Sequence, residues 1–100
     1  MSEIRAVRWS AKAEEDLFEL YLWLAAEAGA EFAFDYTSSI RAHMESFRTF
    51  PERGTPGDDL SPGLRSTVYR RRTVLAYRLA DGELEVVRLH HAGRDWTGDV

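Results

Sequence analysis

The sequence predicts an α+β fold in which two antiparallel helices pack on one face of a mostly antiparallel sheet. Three observations predict it: a short β-branched segment comes first, two segments with helical periodicity follow, and three segments with alternating hydrophobicity come last. Because helices and strands are segregated along the chain, the helices are expected to cover the sheet from one side. At 100 residues, the chain is expected to form one domain spanning 1–100.

The first strand and the first helix are predicted from residues 4–29. Ile4 to Trp9 is short, partly β-branched and followed by Ser10, so it is predicted to be a strand. The Ser10 hydroxyl is expected to accept from the free amides at the start of a helix, and Gly29 is the expected C-cap. The apolar residues of this helix recur every three or four positions: Ala13, Leu17, Leu20, Leu24 and Ala28.

A second helix is predicted from about Ala30 to Thr49, where Pro51 prevents its continuation. Since almost nothing separates the two helices, they must form an antiparallel hairpin. Most aromatic side chains are expected in the core. Trp23 and Phe34 lie outside the apolar faces of the two helices and are expected to form an exposed patch. The apolar stripe of this second helix is Ala33, Tyr36, Ile40, Met44 and Phe47.

The last third of the chain predicts a three-stranded antiparallel meander. Residues 51–63 are rich in proline, glycine and aspartate and are predicted to be a surface connection. Between the following apolar runs, Asp81-Gly82 is a strong signal for a two-residue hairpin turn. With that turn, Leu79 is predicted to face Leu84, Ala76 to face Val87, and Val74 to face Leu89.

This register predicts a docking surface on one face of the sheet. Strand alternation places six residues there, Glu85 and the five groove residues named below, and this face is expected to be more apolar than a solvated sheet surface. Flanked by Arg65 and Arg72, it predicts an apolar groove with a cationic rim that could accept an acidic amphipathic segment of another protein. The predicted groove residues are Val74, Ala76, Arg78, Val87 and Leu89.

Charge is distributed unevenly along the chain. The formal net charge is −4, but residues 10–35 hold one basic and seven acidic side chains, whereas residues 64–94 hold seven arginines and three acids. Twelve of the thirteen basic residues are arginine, which favours bidentate contacts with defined partners. An acidic chain of this kind is a poor general nucleic-acid binder, because phosphate contacts supply most non-specific affinity.

The same composition sets expectations for compartment and cofactors. The chain has no cysteine, which excludes disulfides and cysteine-based metal sites. No apolar run approaches the ~18 residues of a membrane span, so a cytoplasmic protein without membrane association is expected. His90 and His91 are adjacent on the last predicted strand and must point to opposite faces, so no two-histidine metal site and no cofactor is expected.

Several short motifs occur in a fixed order along the chain. They are Trp9-Ser10-Ala11 before Asp16-Leu17, Ala33 and Tyr36 in the second helix, Phe50-Pro51 with Gly54, Gly63-Leu64-Arg65, Tyr77-Arg78, and His91-Ala92-Gly93-Arg94-Asp95. Together they resemble the motifs of the ParE toxins, in the ParE/RelE superfamily of toxin–antitoxin modules. The resemblance covers nearly the whole chain and implies a small toxin, with a helical hairpin on an antiparallel sheet, that is neutralised by a ParD-like antitoxin encoded beside it. It also implies that the target is DNA gyrase, whereas RelE relatives cleave mRNA in the ribosome.

Two alternatives to the gyrase poison stay open. A ribosome-dependent nuclease needs positive charge and a general acid and base near the scissile phosphate. Arg65 and His91 could match catalytic positions of such a nuclease. However, the chain has only one lysine, and Trp96 stands where RelE-like toxins are expected to have a catalytic tyrosine. A non-toxic module that only binds an antitoxin is the other alternative.

The candidates for contact with the target are mostly arginines in the last third of the chain. The Arg70-Arg71-Arg72 run is either a solvated turn or an exposed guanidinium cluster. His91 is expected either to hold the turn that follows it or to contact the target. The full candidate set is Arg65, Arg70, Arg71, Arg72, His91, Arg94 and Trp96.

Overall fold

The computed structural model describes residues 4–57 and 61–92. Within these residues the chain forms one strand, two helices and four further strands. Two single 3₁₀ turns, Ser46–Arg48 and Pro51–Arg53, connect the second helix to the second strand. The elements are β1 (Ala6–Trp9), α1 (Ala11–Ala28), α2 (Ala30–Glu45), β2 (Thr55–Pro56), β3 (Leu64–Tyr69), β4 (Thr73–Ala80) and β5 (Glu83–His91).

Helix α1 begins and ends at the predicted caps. The Ser10 hydroxyl accepts a hydrogen bond from the Ala13 amide at 3.0 Å, which satisfies one of the free N–H groups of the first turn. Gly29 has φ of 101°, a conformation that side chains disfavour, and its amide donates to the Ala25 carbonyl. This single residue separates α1 from α2, so the predicted helical hairpin is confirmed.

Helix α2 is shorter than predicted. It ends at Glu45 rather than near Thr49, and a 3₁₀ turn continues it as far as Arg48. The Ser46 amide lies near three carbonyls, those of Ala42, His43 and Met44, which is typical of a last turn that tightens from α to 3₁₀ geometry. Phe47 lies in this tightened turn and is still buried in the core.

The sheet has the strand order β1-β5-β4-β3-β2 and is mostly antiparallel, as predicted. Strand β1 pairs with β5 in parallel, from Ala6 opposite Glu83 to Trp9 opposite Val86. The two-residue strand β2, which lies inside the predicted surface connection, was not predicted; it pairs with Arg65 and Ser66 of β3. Helices on one face of this sheet confirm the predicted α+β class.

The β4–β5 hairpin follows the predicted register only over its first half. Asp81 and Gly82 form the turn with φ of 56° and 75°, and Leu79 lies opposite Leu84 as predicted. A β-bulge then shifts the pairing by one residue, because Tyr77 pairs with Val86 but Ala76 pairs with Arg88. The extra residue in the bulge is Val87.

The core lies between the helical hairpin and one face of the sheet. Helix α1 packs directly against β5. Among the described residues, no helix is long and apolar enough to cross a bilayer. The buried apolar residues are Ile4, Ala13, Leu17, Leu20, Leu24, Ala33, Tyr36, Ile40, Met44, Phe47, Leu75, Tyr77, Leu84, Val86 and Leu89.

Candidate partner-binding surface

On the face of the sheet that points away from the helices, three rows of side chains cross β3, β4 and β5. Residues directly opposite each other on neighbouring strands share a face, so the strand pairing defines each row. The row next to the β3–β4 turn is the most apolar, with Val68 and Val74 both exposed. The rows are Leu64, Arg78 and Glu85; Ser66, Ala76 and Arg88; and Val68, Val74 and His90.

An open groove of 470 Å³ lies on this face. Val74 and Ala76 form part of its apolar lining, and Arg88 contributes a charged side chain. Arg65 borders the groove from a position opposite the core residue Tyr77. Two of the five predicted groove residues and one predicted rim arginine therefore line one surface. The complete lining is Gly57, Leu64, Arg65, Ser66, Val74, Ala76, Arg88 and His90.

The bulge makes part of the predicted groove wrong. Leu89 was placed on the outer face, but it lies opposite Leu75 and is 0% exposed beneath the helices. Val87 is the half-buried bulge residue and does not line the groove. Arg78 is on the outer face, as predicted, but it does not line the groove. Its guanidinium donates to the Ser61 hydroxyl at 2.9 Å. One inserted residue moves the rest of the strand to the opposite face because side chains alternate.

Arg88 takes the place opposite Ala76 that Val87 was expected to fill, and His90 takes the place opposite Val74 that was expected for Leu89. The Nε of Arg88 lies 2.7 Å from Oδ2 of Asp16, a carboxylate on the buried face of α1. The same carboxylate accepts the Leu89 amide at 3.0 Å, just past the bulge. Sequence reasoning missed this pair, although an acid between the core positions Ala13 and Leu17 is a signal for a buried partner.

Arg65 holds the segment that precedes the groove. Its Nη1 donates to the carbonyls of Glu52 and Gly54, each at 2.9 Å. A hydrogen bond from a charged donor to a carbonyl is stronger than a neutral one, so the guanidinium fixes the chain before β2. Arg65 was predicted to contact the target; the structure gives this guanidinium two partners within the chain.

Tyr77 fixes the same segment from the core side. Its hydroxyl donates to the Pro51 carbonyl at 2.7 Å and accepts the Gly54 amide at 3.1 Å. A side chain at Gly54 would collide with this hydroxyl, so the position requires glycine. Burial raises the pKa of Tyr77 above its ordinary value, while the Gly54 hydrogen bond acts in the opposite direction.

The arginine run forms the exposed turn between β3 and β4. Arg70 and Arg71 have φ of 53° and 63°, and the Arg72 amide donates to the Tyr69 carbonyl at 3.2 Å. Positive φ at both central residues is the geometry of a type I′ hairpin turn, where asparagine and glycine are preferred. The Arg70 guanidinium lies 5.7 Å from the Tyr36 ring, within reach of a cation–π contact.

His91 is buried, which corrects its prediction as a target contact. It is 3% exposed, and its Nδ1 lies 2.8 Å from Oγ1 of Thr73, which in turn lies 2.9 Å from the Tyr36 hydroxyl. Its ring also contacts the Trp23 ring, with centroids 5.6 Å apart. His90 points to the opposite, exposed face, as strand alternation predicts.

Two further predicted contacts, Arg94 and Trp96, lie outside the described residues. Within residues 4–57 and 61–92, no group of three or more histidine, cysteine or acidic side chains could hold a metal ion. The outer face of the sheet carries an apolar strip that includes Val68, Val74 and Ala76.

Comparisons with known proteins assign a family to the chain. A family model described as the ParE toxin of the type II toxin–antitoxin system parDE matches residues 7–96. A structure titled as the chromosomal ParDE system from P. aeruginosa superposes with a TM-score of 0.77 at 21% identity, covering 90% of this chain and 98% of that one. The solution structure of the conserved hypothetical protein HP0894 from Helicobacter pylori has a TM-score of 0.54 at 16% identity, covering 89% and 96%. A search of curated proteins finds no match.

Proposed function

The chain belongs to the ParE toxin family of type II toxin–antitoxin systems, and from that membership we propose that it poisons DNA gyrase in the cytoplasm. In this proposal a cognate, ParD-like antitoxin binds the outer sheet groove and neutralises the toxin. The proposed action is non-catalytic, because it consists of binding a topoisomerase and not of turning over a substrate. The antitoxin and this chain form a hetero-oligomer.

The groove supports the antitoxin part of the proposal. Val68 and Val74 form an exposed apolar pair, and Ala76 extends it into the groove. The helices of this chain cover the other face of the sheet. An exposed apolar strip on the remaining face is typical of a surface that binds a partner. The arginine turn at residues 70–72 lies beside Val68 and Val74, so an amphipathic segment with acidic flanks fits this end of the sheet.

The positions of Arg65 and His91 favour a gyrase poison over a ribosome-dependent nuclease. These residues pair with Tyr77 and Thr73 of β4, four residues or about 13 Å apart along that strand. His91 is buried, and Arg65 binds backbone carbonyls. A general acid–base pair must reach the same phosphate, which this separation does not favour.

The proposal is tested with purified protein in two parallel assays. We expect the chain to inhibit supercoiling by gyrase and to accumulate cleaved DNA, and we expect an equimolar amount of the cognate antitoxin to relieve this inhibition. In the parallel assay, ribosomes translating a defined mRNA should leave that mRNA intact. Codon-specific mRNA cleavage together with normal supercoiling would instead support the nuclease, and inactivity in both assays would support a pure antitoxin-binding module.

A further inference from the structure

The outer surface of the helical hairpin carries three large apolar side chains that the core does not use. Phe18, Leu22 and Phe34 are 61%, 51% and 64% exposed; we call them the hairpin patch. Phe18 and Leu22 lie one turn apart on α1, and Phe34 lies on the antiparallel neighbour α2. A cluster of exposed aromatic and aliphatic groups of this size marks an interaction site more often than a solvated helix face.

A depression between the two helices gives the hairpin patch its shape. It has a volume of 250 Å³, and Phe18 and Phe34 are both part of its lining. The remaining lining residues are Glu14, Leu17, Tyr21, Thr37, Ser38 and Arg41. Its two charged lining residues, Glu14 and Arg41, neutralise each other, and the rest of the lining is apolar or hydroxyl-bearing, which suits an inserted apolar side chain of a partner better than a charged one.

The charge around the hairpin patch is acidic. Residues 11–45 hold two basic and eight acidic side chains, a formal net charge of −6. Two of these acids, Asp16 and Glu45, pair with Arg88 and Arg48 from outside the hairpin, which reduces the excess to −4 (−6 + 2). Both bases are neutralised within the hairpin, because Lys12 lies 3.3 Å from Glu15 and Arg41 lies 2.6 Å from Glu14. The surface that surrounds the patch therefore presents excess negative charge to a partner.

We propose that the hairpin patch docks a basic amphipathic helix of a protein partner. The helix would place aliphatic side chains in the depression between Phe18 and Phe34, in the manner of a helix lying in a groove. Its lysines and arginines would face the acidic flanks, which supplies charge complementarity and orientation. The acids that flank the patch at helical spacing include Glu15, Glu19 and Glu31.

Charge argues against a second copy of this chain as the occupant. A symmetric contact between two hairpin patches would bring two acidic surfaces together, which is unfavourable. A contact between the hairpin patch of one copy and the sheet groove of another would be heterologous, so it would generate a ring or an open filament and not a two-fold dimer. The proposed partner is therefore a different polypeptide with basic charge.

The hairpin patch and the sheet groove lie on opposite sides of the molecule. The helices pack on one face of the sheet and the groove opens on the other, so a helix layer and a sheet layer separate the two surfaces. Both surfaces can then be occupied at the same time. The inference goes beyond the proposed function, because it adds a second partner site that does not depend on the groove.

The test uses the full chain and a synthetic helical peptide of about 18 residues, the length of α1. The peptide carries leucines along one face and lysines elsewhere, and binding is followed by fluorescence anisotropy. We expect saturable binding that weakens with salt, and at least about a tenfold loss of affinity in the Phe18→Ser/Phe34→Ser double variant, the loss typical of hot-spot aromatics. Ser38→Arg, which adds a cation to the depression, is expected to weaken binding as well.

Three controls decide the outcome. Phe50→Ser removes an equally exposed aromatic outside the hairpin and should leave the affinity unchanged. Ala76→Glu, in the sheet groove, should also leave it unchanged, which separates this inference from the proposed function. Equal affinity of the wild type and the double variant, equal binding of a peptide with glutamate in place of lysine, or a wild-type dimer that the double variant abolishes would each overturn the inference.

Discussion

At the scale of single residues, buried polar side chains fix the backbone where the regular elements leave it unpaired. Asp16 accepts the Leu89 amide beyond the bulge. Tyr77 satisfies the Pro51 carbonyl and the Gly54 amide. Each of these backbone groups would cost free energy of desolvation if it lacked a partner. The two side chains therefore stabilise the local backbone conformation.

Replacing Tyr77 with phenylalanine is expected to lower the free energy of unfolding by about 1–2 kcal/mol at pH 7, because two backbone groups lose their partner. In the wild type, burial raises the pKa of Tyr77 above its ordinary value. The unfolded chain therefore releases this proton at a lower pH than the folded protein does. The stability that this raised pKa contributes to the folded protein is fully present below about pH 10 and is lost as the pH rises through the pKa of folded Tyr77.

The measurement is urea denaturation of both proteins between about pH 8 and about pH 11. The difference in unfolding free energy between the wild type and Tyr77→Phe should shrink at the alkaline end, since only the wild type loses this term. A difference that stays constant over the whole range would contradict the assigned role of the Tyr77 hydroxyl.

At the scale of elements, the β3–β4 turn combines an unfavourable backbone with a cluster of cations. Arg70 and Arg71 both adopt positive φ, which costs non-glycine residues about 1–2 kcal/mol each. The turn type still suits the twist of the two strands, so the hairpin keeps its register from Tyr69 opposite Thr73 to Leu64 opposite Arg78. Strain at exposed arginines motivates the hypothesis that their guanidinium groups serve binding.

Arg71→Gly is expected to raise the free energy of unfolding by about 0.5–1 kcal/mol, because glycine adopts positive φ without a steric cost. Arg72→Gly is the matched control. Arg72 lies in the same turn without positive φ, so glycine there should be destabilising by about 0.5–1 kcal/mol. Thermal unfolding of the two variants checks the difference, and stabilisation by both substitutions would contradict the turn assignment.

At the scale of the whole molecule, the outer sheet face and the helical hairpin form two different surfaces on opposite sides of the core. The outer sheet face presents Val68, Val74 and Ala76 near the arginine turn, whereas the helical hairpin presents aromatics within an acidic surround. Because the core fills the space between them, each surface can evolve or be altered without repacking the other. This arrangement would let one small chain contact both proposed partners at the same time.

Ala76→Glu is expected to weaken binding of the cognate antitoxin by about tenfold or more, since a carboxylate would be desolvated on the floor of the groove. Ala80→Glu is the control, because Ala80 is an exposed alanine on the same strand and the same face, outside the groove lining. Isothermal titration calorimetry measures both affinities. Equal affinities for the two variants would place the antitoxin somewhere other than this groove.

Part of the candidate site could be predicted, and most of the errors have one local cause. Val74 and Ala76 were predicted correctly on the outer face, because alternation along β4 is regular and the Asp81-Gly82 turn fixes the start of the hairpin. Leu89 was predicted on the wrong face because no sequence signal predicts the bulge at Val87. The buried pair of Asp16 and Arg88 was missed for the same reason, since it forms only after that shift.

The sequence by itself determined the features that depend on near neighbours along the chain. These are the Ser10 and Gly29 caps, the two helical periodicities and the Asp81-Gly82 turn, all of which act within a few residues. Only the tertiary structure decided the parallel pairing of β1 with β5, the bulge at Val87 and the burial of His91. Those depend on contacts between residues distant in the chain, where packing against the helices selects one arrangement among several that local preferences allow.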